Sequence, residues 1–238
     1  MSELPILMYH SIGGPMPERL AELSVAPARL REHLDTLLGA GYRLLGLDAA
    51  RAAHARGEAV VALTFDDGYP DFLEAALPVL EEVGAGATLY VPTRHLGGTT
   101  TWLPDARLPL MDEDAVVAAS RRPGIEIGSH AARHVPLDVL RRRDLQEEVA
   151  ESAAVLLDLL GAPATGFCYP HGYHSAPVRR AVRAAGFTHA CAIGHRVSPA
   201  GEDAYALSRL LAAAADDGAT LLARVEGRTV PQIGRAHV

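Results

Sequence analysis

Two adjacent carboxylates follow an apolar segment in residues 60–68, which read Val-Val-Ala-Leu-Thr-Phe-Asp-Asp-Gly. The apolar run predicts a buried strand, and Asp66 and Asp67 are expected where that strand ends. Parallel α/β sheets and barrels carry their chemistry at the carboxyl ends of their strands. One carboxylate of such a pair can hold a metal ion while its neighbour accepts a proton. The alternative is that Asp-Asp-Gly only forms a turn.

A pair of histidines, His130 and His134, follows a second short apolar segment at 125–127. Their spacing predicts that both rings lie on one face of a helical turn, close enough to bind one metal ion. Because this pair and the carboxylates each follow a predicted strand, we expect both motifs at the same end of a barrel. A surface or helix-capping pair is the alternative in a chain with 11 histidines.

Asp67, His130 and His134 together would form a site of two histidines and one carboxylate with an open coordination position, which is typical of catalytic zinc. A cation bound there would lower the pKa of a water molecule from about 15.7 towards about 7. Asp66 would then be the general base, and the neighbouring cation would keep it ionised.

A third motif also runs from a predicted strand into a turn, and it reads Phe167-Cys168-Tyr169-Pro170-His171-Gly172. Gly172 would allow the backbone to approach a ligand closely. A backbone N–H near His171 could face a developing oxyanion. A Pro-x-Gly turn without a function explains the same residues equally well.

The elements that must position these residues alternate between short strands and amphipathic helices, which indicates parallel strands joined by crossover helices. Strands are predicted at 6–9, 60–65, 87–91, 125–127, 166–169 and 189–193. Helices are predicted at 27–38, 72–83, 113–120, 141–160 and 177–185. With about seven such units in one run, a single-domain α/β barrel is favoured over an open sheet.

Composition restricts the class of protein. A hydrophobic fraction of 49% predicts a globular domain, and no apolar run is long enough for a membrane helix. The net charge of −7 disfavours nucleic acid as a partner. The first residues lack a basic region followed by an apolar core, so we expect no signal peptide and a cytoplasmic location. Cys168 and Cys191 are expected to be buried thiols, because a disulfide is unusual in a reducing compartment.

Residues 233–238, Ile-Gly-Arg-Ala-His-Val, carry no periodicity. They match one reading frame of a common sequencing adapter, and our hypothesis is that they form a non-native tail in which His237 has no role. The barrel domain is therefore expected to span residues 1–232. Resequencing the gene from intact genomic DNA checks the hypothesis, and finding the same codons there would contradict it.

Four motifs occur in the order found in one enzyme family, namely Leu7-Met8-Tyr9-His10 and the segments at 63–68, 128–134 and 169–172. From Leu4 to about Gly227 the chain resembles the polysaccharide deacetylases, also called family 4 carbohydrate esterases or the NodB-homology domain. The resemblance implies a distorted TIM-like (β/α)7 barrel and a zinc-like divalent cation, with Co²⁺, Ni²⁺ or Mn²⁺ as alternatives. It also implies that N-acetylated sugars lose their acetyl group.

The resemblance further implies a role for each motif residue. Asp66 is then the base, and Asp67, His130 and His134 are the metal ligands. Ala131 departs from the family pattern, because Ser or Thr usually follows the first histidine, and one supporting hydrogen bond is lost.

The third motif is the Tyr-Pro-x-Gly variant and lacks the arginine of many members. Arg209 stands where this variant often carries an arginine, so it is a candidate catalytic residue that orients Asp66 through an ion pair. A plain surface or core-edge arginine is the alternative. The Leu-x-His motif that supplies the general acid in many members is not found, and His10 and His174 are the candidate proton donors.

Candidate substrate or oxyanion contacts are the turn at 169–172, His10 and Trp102. Trp102 lies in the loop at 97–104, and it is expected either to stack on a sugar ring or to anchor its loop.

The sequence therefore predicts a metal-dependent hydrolase that removes acetyl groups from an N-acetylated carbohydrate. An esterase acting on O-acetyl sugars is a close alternative, because the same groups can attack either carbonyl. A barrel that binds glycan without catalysis is a further alternative. A cytoplasmic enzyme would meet sugar nucleotides, glycolipid precursors or small amino-sugar conjugates, and the sequence leaves the choice among them and the oligomeric state open.

Overall fold

A curled parallel sheet forms the centre of the fold in the computed structural model, which describes residues 3–228. The strands within these residues are β1 (Ile6–Tyr9), β2 (Ser11–Ile12), β3 (Ser24–Val25), β4 (Arg43–Leu45), β5 (Val60–Phe65), β6 (Ala87–Val91), β7 (Ile125–Ser129), β8 (Gly166–Cys168), β9 (His189–Cys191) and β10 (Leu210–Leu211). The sheet order is β10-β1-β5-β6-β7-β8-β9, with β4 paired to β5 beside this path, while β2 and β3 pair separately. The suspected tail at 233–238 lies outside the described residues.

Helices connect the strands and pack against the sheet. They are α1 (Pro27–Gly39), α2 (Leu47–Ala55), α3 (Leu77–Val83), α4 (Glu113–Ser120), α5 (Arg142–Leu160), α6 (Ala176–Ala184) and α7 (Gly218–Val225). Among residues 3–228, no helix combines the length and the apolar character that crossing a bilayer requires.

The two edges of the sheet are joined by one short segment of chain. β10 pairs in parallel with β1, and Leu207, which precedes β10, forms a parallel bridge with Cys191 of β9. Arg209 lies between these two contacts. The architecture confirms the predicted single-domain α/β fold, a distorted (β/α)7 barrel.

Strand β5 explains why the carboxylates come where they do. All six of its residues are buried, as expected for a parallel strand covered on both faces. Val61, Leu63 and Phe65 pack in the large cluster shared with most of the helices. Val60 and Ala62 pack on the opposite, interior face, with residues of other strands and of α2. Because side chains alternate along a strand, the next positions on the interior face are 64 and 66. Asp66 is thus directed into the mouth of the barrel.

The predicted strands are all present, with ends that differ from the prediction by no more than two residues. The sequence pattern does not predict β2, β3, β4, β10, α2 or α7. Strands β2, β3 and β10 are each only two residues long, too short to produce a pattern. The segment predicted as one helix at 72–83 is also different, because it begins with a π-helical turn, Phe72–Ala76, before α3.

Candidate active site

Three predicted metal ligands meet at one buried point. The Asp67 Oδ1 atom lies 3.3 Å from His134 Nε2 and 3.4 Å from His130 Nε2. All three side chains are buried, and their ligand atoms lie within 4.8 Å of one another. Two imidazole nitrogens facing one carboxylate oxygen are the donor types that catalytic zinc prefers. The residues present therefore fit a divalent cation.

The backbone that carries these ligands is unusual. Five non-glycine residues of the described chain have positive φ, and four of them are in or beside the site: Asp67 (75°), Ala131 (61°), His134 (56°) and His171 (58°). Left-handed backbone at non-glycine residues costs free energy and tends to collect at functional sites, because the surrounding structure must hold it in place.

The helical turn expected for His130 and His134 is wrong. Residues 130–136 form a loop after β7, not a helix, and left-handed residues at 131 and 134 fold the two rings towards each other. The loop is held by neighbouring backbone, since the amides of Thr93 and Arg94 donate to the carbonyls of Ala131 and Ala132. An i, i+4 spacing thus brings two rings together without helical geometry.

The turn after β5 also depends on local sterics. Gly68 has φ of 73°, and a Cβ atom there would lie 3.0 Å from the Val91 side chain. Only glycine combines this conformation with so close an approach. The Asp-Asp-Gly motif is thus a turn as well as a source of carboxylates.

Asp66 is held by a buried arginine. Arg209 donates from Nη1 to Asp66 Oδ1 and from Nη2 to Asp66 Oδ2, both at 2.7 Å. Both side chains are almost fully buried, and the guanidinium also donates to the Ala192 carbonyl at 3.1 Å and to Thr64 Oγ1 at 3.1 Å. Arg209 was expected either to pair with Asp66 or to be a plain surface or core-edge arginine. In the structure it is buried and paired with Asp66.

Electrostatics keep both carboxylates ionised. Burial alone would raise the pKa of Asp66, but the Arg209 guanidinium lowers it below its ordinary value. Burial likewise opposes ionisation of Asp67, yet hydrogen bonds from His130 and His134 hold its pKa well below the usual range. Burial lowers the pKa of His134 to about 4. At neutral pH two of the three proposed ligands, Asp67 and His134, are therefore in the protonation states that bind a cation, and Asp66 is ionised beside them.

A second set of ligand atoms lies close by but suits a cation less well. Asp66, His130 and Cys168 also have ligand atoms within 4.8 Å of one another. However, Arg209 Nη2 lies 3.0 Å from Cys168 Sγ and pairs with Asp66. Its positive charge would repel a cation there, so the donor set centred on Asp67 is the better fit.

The third motif places only one of its side chains at the cluster. The His171 ring meets the His134 ring edge to face, with centroids 4.8 Å apart. Tyr169 is fully buried in the apolar cluster that includes α6 residues, and its hydroxyl donates to the Tyr205 carbonyl. Its side chain is thus engaged in packing rather than offered to a substrate.

The other two residues of that turn, Pro170 and Gly172, are in contact with the protein itself. Pro170 is buried. Gly172 has φ of 72°, and a Cβ atom there would lie 2.7 Å from the Ile193 side chain. The close approach predicted for Gly172 is therefore made to Ile193.

The two candidate proton donors are separated. His10 interacts electrostatically with Asp66, Asp67 and His130, and burial lowers its pKa. The His174 ring contacts Tyr169 and is bonded to Arg179 Nη1 at 2.9 Å. His10 therefore belongs to the site, whereas His174 lies beside the buried Tyr169.

Two residues near the cluster make contacts that the sequence does not predict. Tyr69 is buried, and its hydroxyl interacts with the Asp67 carboxylate. Trp102 was expected to contact sugar or anchor its loop, but its ring stacks on the His134 ring, with centroids 4.0 Å apart and an interplanar angle of 24°. Tyr69 follows the Asp-Asp-Gly turn directly, which was the available signal, whereas nothing local to Trp102 indicates its contact with a residue of a different loop.

Comparison with known proteins identifies the family and the fold. A model of the family described as polysaccharide deacetylase matches residues 53–190, a span that contains the Asp67, His130 and His134 cluster but not Arg209. The chain is 27% identical over 229 residues to the protein named "Putative polysaccharide deacetylase YxkH" of Bacillus subtilis (strain 168), covering 94% of this chain and 77% of that one.

Solved structures share the fold over nearly the whole chain. The Streptococcus pyogenes deacetylase PplD, solved in complex with acetate, superposes with a TM-score of 0.80 at 24% identity, covering 94% of this chain and 98% of that one. IcaB from Ammonifex degensii superposes with a TM-score of 0.80 at 21% identity, covering 95% and 98%. These similarities establish the fold.

Proposed function

We propose that this chain, which belongs to the polysaccharide deacetylase family, removes acetyl groups from N-acetylated sugars by metal-dependent hydrolysis. The observation that carries the proposal is the convergence of Asp67, His130 and His134 on one buried point. The neighbouring Asp66 is ionised and held by Arg209. The first three residues are thus suited to bind a cation, and the adjacent Asp66 carboxylate is suited to accept a proton.

Asp67, His130 and His134 would hold the cation, and their nitrogen and oxygen donors favour zinc, with Co²⁺, Ni²⁺ or Mn²⁺ as alternatives. A divalent cation bound by these residues would supply Lewis acidity, which polarises a carbonyl and lowers the pKa of water.

Asp66 is the proposed general base. Each of its oxygens accepts one hydrogen bond from Arg209, and a carboxylate oxygen has a second lone pair that can accept a proton from the attacking water. Arg209 fixes the plane of the carboxylate and keeps it ionised. Water adds to the amide carbonyl as its proton passes to Asp66, and the C–N bond then breaks.

The leaving nitrogen must gain a proton for a free amine and acetate to form. The protonated Asp66 carboxyl can return the proton it accepted to the leaving nitrogen. It is a strong enough acid to do so because Arg209 lowers its pKa. His10 is a poorer donor, because burial lowers its pKa and leaves the ring neutral. We propose instead that His10 contacts the substrate or the developing oxyanion. We propose the same role for His171, whose ring lies against that of His134.

The test is an acetate-release screen with matched N-acetyl and O-acetyl sugars, run on protein whose metal content has been measured. We expect bound divalent metal, acetate release from an N-acetyl sugar and the appearance of a free amine. Activity confined to O-acetyl sugars would replace the proposal with an esterase. Metal-free protein that binds no added Zn²⁺, Co²⁺, Ni²⁺ or Mn²⁺ would contradict the metal site.

Zinc binding by the metal-free protein is expected to weaken as the pH falls. Burial acts to lower the pKa of His130, but Cys168 and Asp67 hold it well above the ordinary value, so zinc must displace a proton from this ring. His134, with a pKa of about 4, is already neutral. Titration calorimetry in buffers of different ionisation enthalpy should show release of about one proton per zinc near neutral pH. Heats that are independent of the buffer would contradict this expectation.

A further inference from the structure

We propose that Trp102 is a positioning residue that orients the His134 ring for metal binding. The His130 ring is oriented by a hydrogen bond instead. The inference rests on the metal site proposed above. It assigns to Trp102 a role different from sugar stacking or loop anchoring.

The two histidines are supported in different ways. His130 Nδ1 is hydrogen-bonded to the Cys168 carbonyl at 2.9 Å, the usual means by which a metal-binding histidine is fixed in one orientation. His134 Nδ1 is buried and has no hydrogen-bond partner among residues 3–228. Packing must therefore supply the support that this nitrogen does not receive.

Trp102 provides that packing on the face of the ring. The indole and imidazole planes are inclined by only 24°, with centroids 4.0 Å apart. His130 and His171 meet the same ring at steep angles, 78° and 72°, with centroids 4.7 and 4.8 Å away. The stacked indole thus limits how far the imidazole plane can tilt, while the other two rings limit its rotation.

Trp102 can act in this way because its own position is fixed. Its ring packs with a cluster that includes Leu20 and Leu211 and meets the His95 ring with centroids 5.3 Å apart. The loop is closed by two hydrogen bonds, one from the Thr100 amide to the Leu108 carbonyl and one from the Leu108 amide to Thr100 Oγ1. It is tied to the segment before α1 by the Arg19–Asp105 ion pair.

The contact also restricts what else Trp102 can do. The indole face that covers His134 is not available to a sugar ring. Losing the indole should therefore weaken metal binding before any carbohydrate is present, which substrate stacking alone does not predict.

Three variants test the proposal in the full-length protein, with Zn²⁺ affinity measured by competition with a chromogenic chelator. Trp102→Leu keeps an apolar side chain but removes the aromatic face. Trp102→Phe restores an aromatic face. Leu103→Ala is the matched control, because it removes packing from the same cluster without a stacking contact to His134.

We expect Trp102→Leu to weaken zinc binding by about 10–100-fold, the range found when a supporting partner of a metal ligand is lost. Trp102→Phe should recover most of the affinity, and Leu103→Ala should stay within a few-fold of the parent protein. The visible spectrum of the Co²⁺ form should change in Trp102→Leu only.

Unchanged zinc affinity in Trp102→Leu would overturn the inference, and so would an equal loss in Leu103→Ala, which would indicate a general effect of the loop. Both outcomes leave the metal site intact if the parent protein binds zinc. A parent protein that binds no zinc would instead overturn the metal site itself and this inference with it.

Discussion

Acetate release is expected to fall by about 10²–10⁴-fold when Asp66 is replaced by asparagine, the range that general-base catalysis typically contributes. Asparagine has nearly the shape of aspartate and can still accept a hydrogen bond from Arg209, but it cannot take a proton from water. Zinc content should be unchanged, because Asp67, His130 and His134 are intact. Turnover should be measured at saturating substrate, so that the effect is read on kcat.

Stability must be measured alongside this variant. The Asp66–Arg209 pair is buried, and breaking a buried pair by removing one charge costs about 3–5 kcal/mol, since the other charge is left uncompensated. Arg209→Gln is the matched control, because it breaks the same pair but keeps the carboxylate. If Asp66 is the base, Arg209→Gln should retain more turnover than Asp66→Asn at equal folded fraction. Retained turnover in Asp66→Asn would remove Asp66 as the base.

Replacing His134 by alanine is expected to weaken zinc binding by more than the roughly 10–100-fold that loss of a supporting partner costs, because a ligand itself is removed. Only Asp67 and His130 would remain of the proposed ligands. Deacetylation should fall with the bound metal and recover partly at high zinc concentration. The measurement is zinc affinity by chelator competition, followed by turnover against added zinc.

His174→Ala is the control for this variant. It also removes an imidazole, but one that contacts Tyr169 and Arg179 rather than the metal cluster. Its zinc affinity should match that of the parent protein. Equal zinc affinity in His134→Ala and the parent protein would exclude His134 as a ligand.

Much of the barrel could be predicted from the sequence because its strands have a strong local signal. The strand at 60–65 is a continuous apolar run, and it ends in Asp-Asp-Gly where the structure also ends it. A run of this kind is required when a strand is covered on both faces. The short pieces, β4 and β10, have no such signal, because a strand of two or three residues is defined by its neighbours.

The candidate site could be predicted only as a set of residues. The pattern predicts Asp67, His130 and His134 as ligands because each motif follows a strand, and parallel strands end at one edge of a barrel. The helical turn assigned to the histidines was wrong, since left-handed backbone at Ala131 and His134 depends on contacts with the segment at 93–95.

The residue types at the carboxyl ends of the strands, and so the chemistry available there, follow from the sequence alone, because strand periodicity and turn residues are local properties. The contacts that these residues make depend on the tertiary structure. Arg209 meets Asp66 only because the segment at 207–211 joins the two edges of the sheet, and Trp102 meets His134 only because two separate loops pack over the barrel mouth. Contacts between residues far apart in the chain depend on how the whole barrel closes, and no local pattern encodes them.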